Sequence, residues 1–457
     1  MHIDQEPVVG TDTLEDPDPA SGPVDTLREP GAAVVSRPLP DQTPETESAA
    51  DGSTTSKWRE TFSSLGNRDF RFLWFGTLFM MGGFQMGMIA QGFLVYEITD
   101  SAKILGLVSA GWAVPMLSLT LFGGALADRL ERKPIIQAGQ AVSAVVALAV
   151  AVAISTDVLQ WPHLLVASMF NGVMFAFVGP ARQAIIPQIV GQKRISNAIV
   201  LNSAAMSTTS LIAPAIAGVL YATIGPEGVY YVMVGMWILA VSLTTAIHKP
   251  AKMAKRVQSA IVKDIKAGLV YVGQNQIILV LLGVMMATVV LSMPFQSLLP
   301  VFVVDVYGLE SEAFGLLVSM IGLGSLVGSL GIATIGNWHR GSLVILGGFI
   351  ASIALALVAL IPIYEVAVVI MVLIGLGNIA PMALITALII ERADEHYRGR
   401  MMSIIMLMWG MMPLGVMPLG VAVDAIGGRQ TVGIMSAILL AIFSVVLLTQ
   451  RRLRQLQ

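Results

Sequence analysis

Side-chain amides lie near the centres of three long apolar stretches of this sequence, Gln85, Asn171 and Asn378, and Gln296 lies in a fourth. An amide taken out of water without a partner costs on the order of 2–7 kcal/mol. These groups are therefore expected to face one another or a polar guest, with packing by interhelical hydrogen bonds as the alternative role. Gln296 lies between Pro294 and Pro300. Two carboxylates, Glu97 and Asp305, close apolar stretches 208 residues apart. A carboxylate at a helix C-terminus is opposed by the dipole, and these two have the chemistry to carry a proton. Charges cluster in Gly123-Gly124-Ala125-Leu126-Ala127-Asp128-Arg129-Leu130-Glu131-Arg132-Lys133. There the Asp128 carboxylate can accept hydrogen bonds from a helix N-terminus or pair with a guanidinium.

Much other chemistry is excluded. There is no cysteine, hence no disulfide, thiolate nucleophile or cysteine-held metal. The histidines, His2, His163, His248, His339 and His396, have no ligand spacing to one another, so no metal site is expected. A phosphate-binding Gly-x4-Gly-Lys-Ser/Thr loop is missing, which leaves ATP use unsupported. No cofactor is expected. Without a nucleophile–base set at membrane depth, the chain does not read as an enzyme.

The elements that must position these residues follow from composition. Of 457 residues, 55% are hydrophobic and only 12% charged, with a mean hydropathy of +0.78. Soluble domains carry about 25% charge, so lipid must be the solvent for most of this chain. Crossing about 30 Å of hydrocarbon takes roughly 20 apolar residues. Such runs occur at 70–97, 103–127, 134–155, 163–184, 197–223 and 229–248, then at 275–304, 312–336, 342–362, 366–391, 400–424 and 430–449. They are continuous, unlike the alternating strands of a membrane barrel. The reading is an all-α membrane protein with twelve transmembrane helices.

Threading the runs back and forth places 25 of the 27 basic residues on one side and only Lys103 and Arg429 on the other. Basic loops stay inside, so both termini are expected in the cytoplasm, with the protein in the plasma membrane. Residues 1–56 hold twelve acids and two bases. They read as a disordered acidic tail and not as a cleaved signal peptide. A bundle over 57–248, a cytoplasmic linker over 249–274 and a second bundle over 275–457 complete the expected organisation.

The halves look duplicated. Gly106 to Asp128 and Gly315 to Asn337 are both steps of 22 residues, and Gly106 and Gly315 lie 209 apart. Arg194 and Arg398 lie 204 apart, as do Pro214 and Pro418. Two similar six-helix bundles around a midplane cavity suit alternating access.

The loop holding Gly124, Asp128, Arg129, Arg132 and Lys133 resembles the signature of the major facilitator superfamily, with Glu131 where that family usually has Gly. The segments Asn67-Arg68-Asp69-Phe70-Arg71, Leu94-Val95-Tyr96-Glu97-Ile98-Thr99 and Gly179-Pro180-Ala181-Arg182 are similar to its exporter branch, which includes enterobactin and macrolide efflux proteins. The resemblance covers roughly residues 67–450. It implies the two-bundle fold and secondary active transport, directed outward. It also implies a cytoplasmic gate in which Asp128 meets the start of helix 11, with Arg398 and Arg400, or Arg182 at the end of helix 4. In the branch a Gly-Pro motif bends helix 5; here Pro214 and Gly218 fit and Ala213 departs.

Helices 1, 4, 7 and 10 line the cavity in that superfamily, which assigns one of the four amides to each. No Asp, Glu, Lys or Arg falls near the middle of any run, and a charged solute would need a counter-charge there. A neutral or amphipathic solute is expected. The partners are the lipid bilayer, a small-molecule substrate and protons, with no nucleic acid and no obligate protein partner. Two other readings share these features: an importer of the same fold, and a non-transporting scaffold that recruits partners through its acidic tail.

Overall fold

The computed structural model describes residues 63–120, 130–191, 194–248, 261–335, 339–450 and 453. The expected tail, residues 249–260 of the linker, and Gly124, Asp128 and Arg129 lie outside the described residues.

Eleven stretches among the described residues are long and apolar enough to cross a bilayer, and one of them is two helices in succession. In order they are α1 (Arg68–Thr99), α2 (Ala102–Thr120), α3 (Arg132–Ser155) and α4 (Trp161–Val190), then the stretch Ile195–Thr245. Gly225 divides that stretch into α5 (195–224) and α6 (226–245), because it alone has non-helical dihedrals, φ 75° and ψ 171°. Glycine adopts this conformation without the steric penalty of a Cβ, and Pro226 behind it suits the first turn of a new helix. The second half has α7 (Gln276–Val306), α8 (Ser311–Ile335), α9 (Arg340–Leu360), α10 (Tyr364–Arg392), α11 (Arg398–Ile426) and α12 (Gly428–Thr449). No strand occurs among the described residues. The molecule is a twelve-helix membrane protein of two six-helix bundles.

Within the first bundle α1 packs along α5 and α6, while α3 lies against α4 and α6. The second bundle repeats close packing through α8, α9, α10 and α12. Small residues set these distances. A Cβ on Gly324 of α8 would collide with the Val372 carbonyl of α10, and one on Gly375 of α10 with the Ile321 carbonyl of α8.

Three elements differ from the sequence expectation. Helix α4 runs to Val190, beyond the expected end at 184. Ile185 and Ile186 continue its buried face, and Pro187 in the final turn does not stop it before Gly191. Arg182 therefore sits inside α4 and not at its end. Helix α7 widens to π-helical turns at Thr288–Ser292 and Phe302–Val306, flanking the two prolines that cannot donate to the regular ladder. Ahead of α7, half of the expected linker is itself a helix, Ile261–Gln274. Its Tyr271 ring stacks on Tyr397 at 4.2 Å, beside the start of α11.

The helix ends fall into two sets. Arg132, Arg194, Arg340 and Arg398 mark a basic end, and Glu97, Asp100, Asp305 and Asp424 an acidic end.

Candidate functional site

At mid-depth two adjoining cavities lie between the bundles. One, of about 240 Å3, is lined by Gln85, Ser210, Ser292, Gln296, Asn378 and Trp409 among others. The other, of about 110 Å3, includes Asn171 and again Gln296. They share Met88, Gln296, Val318 and Met412, so all four expected amides border one continuous space, joined by Gln91. Its size is at the lower end of small-molecule pockets, roughly 300–1,000 Å3. No Asp, Glu, Lys, Arg or His lines either cavity.

The amides are not equivalent. Asn378 is buried, and its Oδ1 accepts the Ser292 hydroxyl at 2.7 Å, tying α10 to α7. Gln85 donates to Ser210 at a long 3.5 Å. Gln296 and Asn171 have no side-chain hydrogen bond among the described residues, so their capacity is unspent. Of the four, these two have the most to offer a guest.

Toward the acidic end the bundles meet in a seam of close contacts. Five cross-bundle hydrogen bonds lie there. The Tyr96 phenol of α1 donates to Asp305 of α7 at 2.6 Å, and Ser311 of α8 donates to the Gly218 carbonyl of α5 at 3.3 Å. A Cβ on Gly218 would come within 2.6 Å of the Ser311 carbonyl, and one on Gly420 of α11 within 2.5 Å of the Ala102 carbonyl. Gly106 of α2 faces α11 between Val416 and Gly420, while Gly315 of α8 faces α5 between Pro214 and Gly218. The pairs that suggested a duplication thus form the two equivalent halves of one seam. Helix 5 does not break at Pro214 or Gly218. What this pair provides is a side-chain-poor face for α8.

Asp424, near the end of α11, is the functional residue that sequence reasoning missed. It accepts from the Ser101 hydroxyl at 2.8 Å and from the Ala102 and Lys103 backbone N–H groups at 2.7 and 3.1 Å. A helix start leaves four such donors orphaned. The Ser101 hydroxyl serves a third, the Ile104 N–H, while its carbonyl accepts the first regular helical bond, from Leu105 N–H. One bundle therefore caps a helix of the other with a carboxylate. The signal was present in the sequence, since Asp424 ends an apolar run just as Glu97 and Asp305 do. Losing a cap costs about 1 kcal/mol, roughly a fivefold shift in a two-state equilibrium. Asp424→Ala should make the acidic end open about fivefold more often. A single cysteine at Met412, in a chain with none of its own, should then be alkylated faster by an impermeant reagent. An unchanged rate would remove Asp424 from the seam.

The two candidate proton carriers differ. Asp305 is bonded across the seam, whereas Glu97 accepts the Tyr221 phenol at 2.6 Å within its own bundle.

At the basic end, Arg132 donates to the Ala184 carbonyl of α4 at 2.8 Å. Lys133 donates to the Thr245 and Ile247 carbonyls, at 2.8 and 2.5 Å, and so caps α6. These contacts join helix ends of one bundle. Arg398 and Arg400 do open α11; Arg400 lies 4.9 Å from the Tyr397 ring centroid and Arg398 donates to the Ala393 carbonyl at 3.4 Å. Arg182 corrects the expectation most. Its guanidinium is buried against α1, donating to the Leu73 carbonyl at 3.1 Å and to the Thr77 hydroxyl. It pins α4 to α1 inside the bundle and does not cap a helix end.

Residues 59–457 match the family described as transmembrane secretion effector. The chain is similar to the staphyloferrin A transporter of Staphylococcus aureus, with 24% identity covering 81% of this chain and 93% of that one. It is also similar to macrolide efflux protein A of Streptococcus pyogenes, with 26% identity covering 75% and 85%. In three dimensions it superposes on a crystal structure of a variant of the nucleoside transporter NupG with a TM-score of 0.70, at 11% identity, covering 83% of this chain and 98% of that one.

Proposed function

The chain belongs to the transmembrane secretion effector family of the major facilitator superfamily, and on that premise we propose that it exports neutral, amphipathic solutes in exchange for protons. It is a secondary transporter whose bundles rock about the central cavity. The basic end faces the cytoplasm, so a seam made at the acidic end describes a state closed to the outside. The solute enters from the cytoplasm, seats against Gln296 and Asn171, and leaves when the seam parts.

One observation carries this reading: a midplane space bordered by five amides, Gln91 among them, and by no Asp, Glu, Lys, Arg or His. A permanently charged solute would meet no counter-charge there, and an ion without one at membrane depth is costly. An uncharged solute with a few hydrogen-bonding groups gains from two unpaired amides. Similarity to a macrolide efflux protein favours the outward direction.

The test is accumulation in intact cells across a chemically diverse panel, with and without a protonophore. Uncharged amphipathic compounds should accumulate less in expressing cells, and the protonophore should abolish the difference. Gln296→Ala and Asn171→Ala should each weaken apparent affinity about three- to tenfold, the worth of one neutral hydrogen bond. If permanent ions or nothing at all left the cells, the reading would fail.

A further inference from the structure

The smaller cavity does not stop at the interface between the bundles. From Gln296 and Phe314 it runs sideways into the first bundle, between α1, α3, α4 and α6, as far as Ser143, Tyr230 and Trp237. This recess exists because α1 presents Gly83 and Gly87 to α6. A Cβ on Gly83 would lie 3.3 Å from the Trp237 indole nitrogen, and one on Gly87 2.7 Å from the end of Met233. Where two side chains are missing, space remains.

The recess is not simply apolar. Ser143 is 4% exposed, and its hydroxyl is buried with no hydrogen-bond partner. Serines and threonines in these helices commonly spend their hydroxyl on the carbonyl four residues back, as Thr77, Ser155 and Ser242 do. Ser143 does not. The Tyr230 phenol and the Trp237 indole N–H, both on buried side chains, likewise make no hydrogen bond among the described residues. Three donors therefore line one recess, and a buried hydroxyl left without a partner is unfavourable unless something occupies the space.

We infer that this recess is a second subsite of the transported solute, taking an uncharged, ring-sized terminal group that bears an oxygen acceptor such as a ketone, ester or ether. Size sets the limit: a cavity of about 150 Å3 holds one benzene ring, and the whole smaller cavity, of which the recess is one end, measures about 110 Å3, so the group is at most a single ring. It accepts one end of a solute whose body fills the larger cavity. The chemistry sets the preference, since hydroxyl and indole donors match a carbonyl or ether oxygen, while a bare hydrocarbon leaves them unpaired. An ammonium would bring further donors and meet no carboxylate. The subsite deepens the export reading by giving it a rule for solute shape, and it rests on that reading for its role in transport.

Binding to the purified full chain tests it apart from transport. The probes are 4-fluoroacetophenone and 1-ethyl-4-fluorobenzene, matched in size and differing in the carbonyl oxygen, followed by ligand-detected fluorine NMR. The ketone should bind at least threefold more tightly than the hydrocarbon. Ser143→Ala should erase that preference, and Ala147→Leu, which fills the recess, should abolish competition-sensitive binding of both. Should Ala147→Leu fail to fold, Ser143→Ala decides alone. Equal binding of the two probes to wild type, or a preference that survives Ser143→Ala, would overturn the subsite and leave the export reading standing. Probe binding as expected in a protein that exports nothing from cells would retain the recess and overturn export.

Discussion

Replacing Gly315 with valine should reduce transport to background while the protein still folds and inserts. A side chain there would run into the Pro214 carbonyl and the backbone at Gly218, and neither has anywhere to retreat. Overpacking of this kind typically costs 1–3 kcal/mol, occasionally more. The whole penalty falls on the state in which the acidic end is shut, because only that state brings α5 and α8 together at this point. At about 3 kcal/mol the shut state becomes roughly a hundredfold rarer, and a cycle that must pass through it slows accordingly. Gly283→Val in α7 is the control, since a Cβ there meets nothing within 4 Å. In the Gly315 variant an engineered cysteine at Met412 should be open to impermeant reagents from outside. Normal export by Gly315→Val would show that the seam is not part of the working cycle.

The second large effect separates Asp305 from Glu97. For a proton to drive the cycle, its carrier must meet different surroundings in the two states. Asp305 does so, because its Tyr96 partner belongs to the other bundle and leaves when the seam parts. Glu97 keeps Tyr221 within one bundle whichever way the halves rock. Asp305→Asn preserves the acceptor for Tyr96 but cannot carry a proton. It should lower proton-driven export at least tenfold and leave exchange of labelled for unlabelled solute intact. Glu97→Gln should stay within about threefold of wild type in both assays. If the effects were reversed, or if both variants exported normally, the coupling role of Asp305 would be gone.

Most of the fold was legible in sequence because each spanning helix must satisfy its own backbone in lipid. Apolar length and the placement of basic residues then leave little freedom. The amides were legible for a related reason: Gln85, Asn171, Gln296 and Asn378 break apolar runs at a cost that demands a partner or a guest. What sequence could not supply was pairing over long separations. Asp424 serves Ser101, Ala102 and Lys103 more than 320 residues away, and no local pattern announces that. Arg182 looked like a helix-end base because Pro180 and Pro187 bracket it; only the buried Ile185 and Ile186 reveal that the helix carries on. The recess at Ser143 depends on the absence of side chains at Gly83 and Gly87, and an absence becomes a space only once α6 is known to lie opposite.

The seam of Gly106, Gly218, Gly315 and Gly420 also bears on closure. Where glycine meets main chain, no rotamer has to be frozen when the surfaces join, so the ordering penalty of up to about 2 kcal/mol per long side chain does not arise. Along these glycines the surfaces fit without a search among side-chain arrangements, and only the few polar side chains of the seam, such as Tyr96, Asp305 and Asp424, have to be ordered. Little side-chain entropy then opposes closure at this end of the molecule.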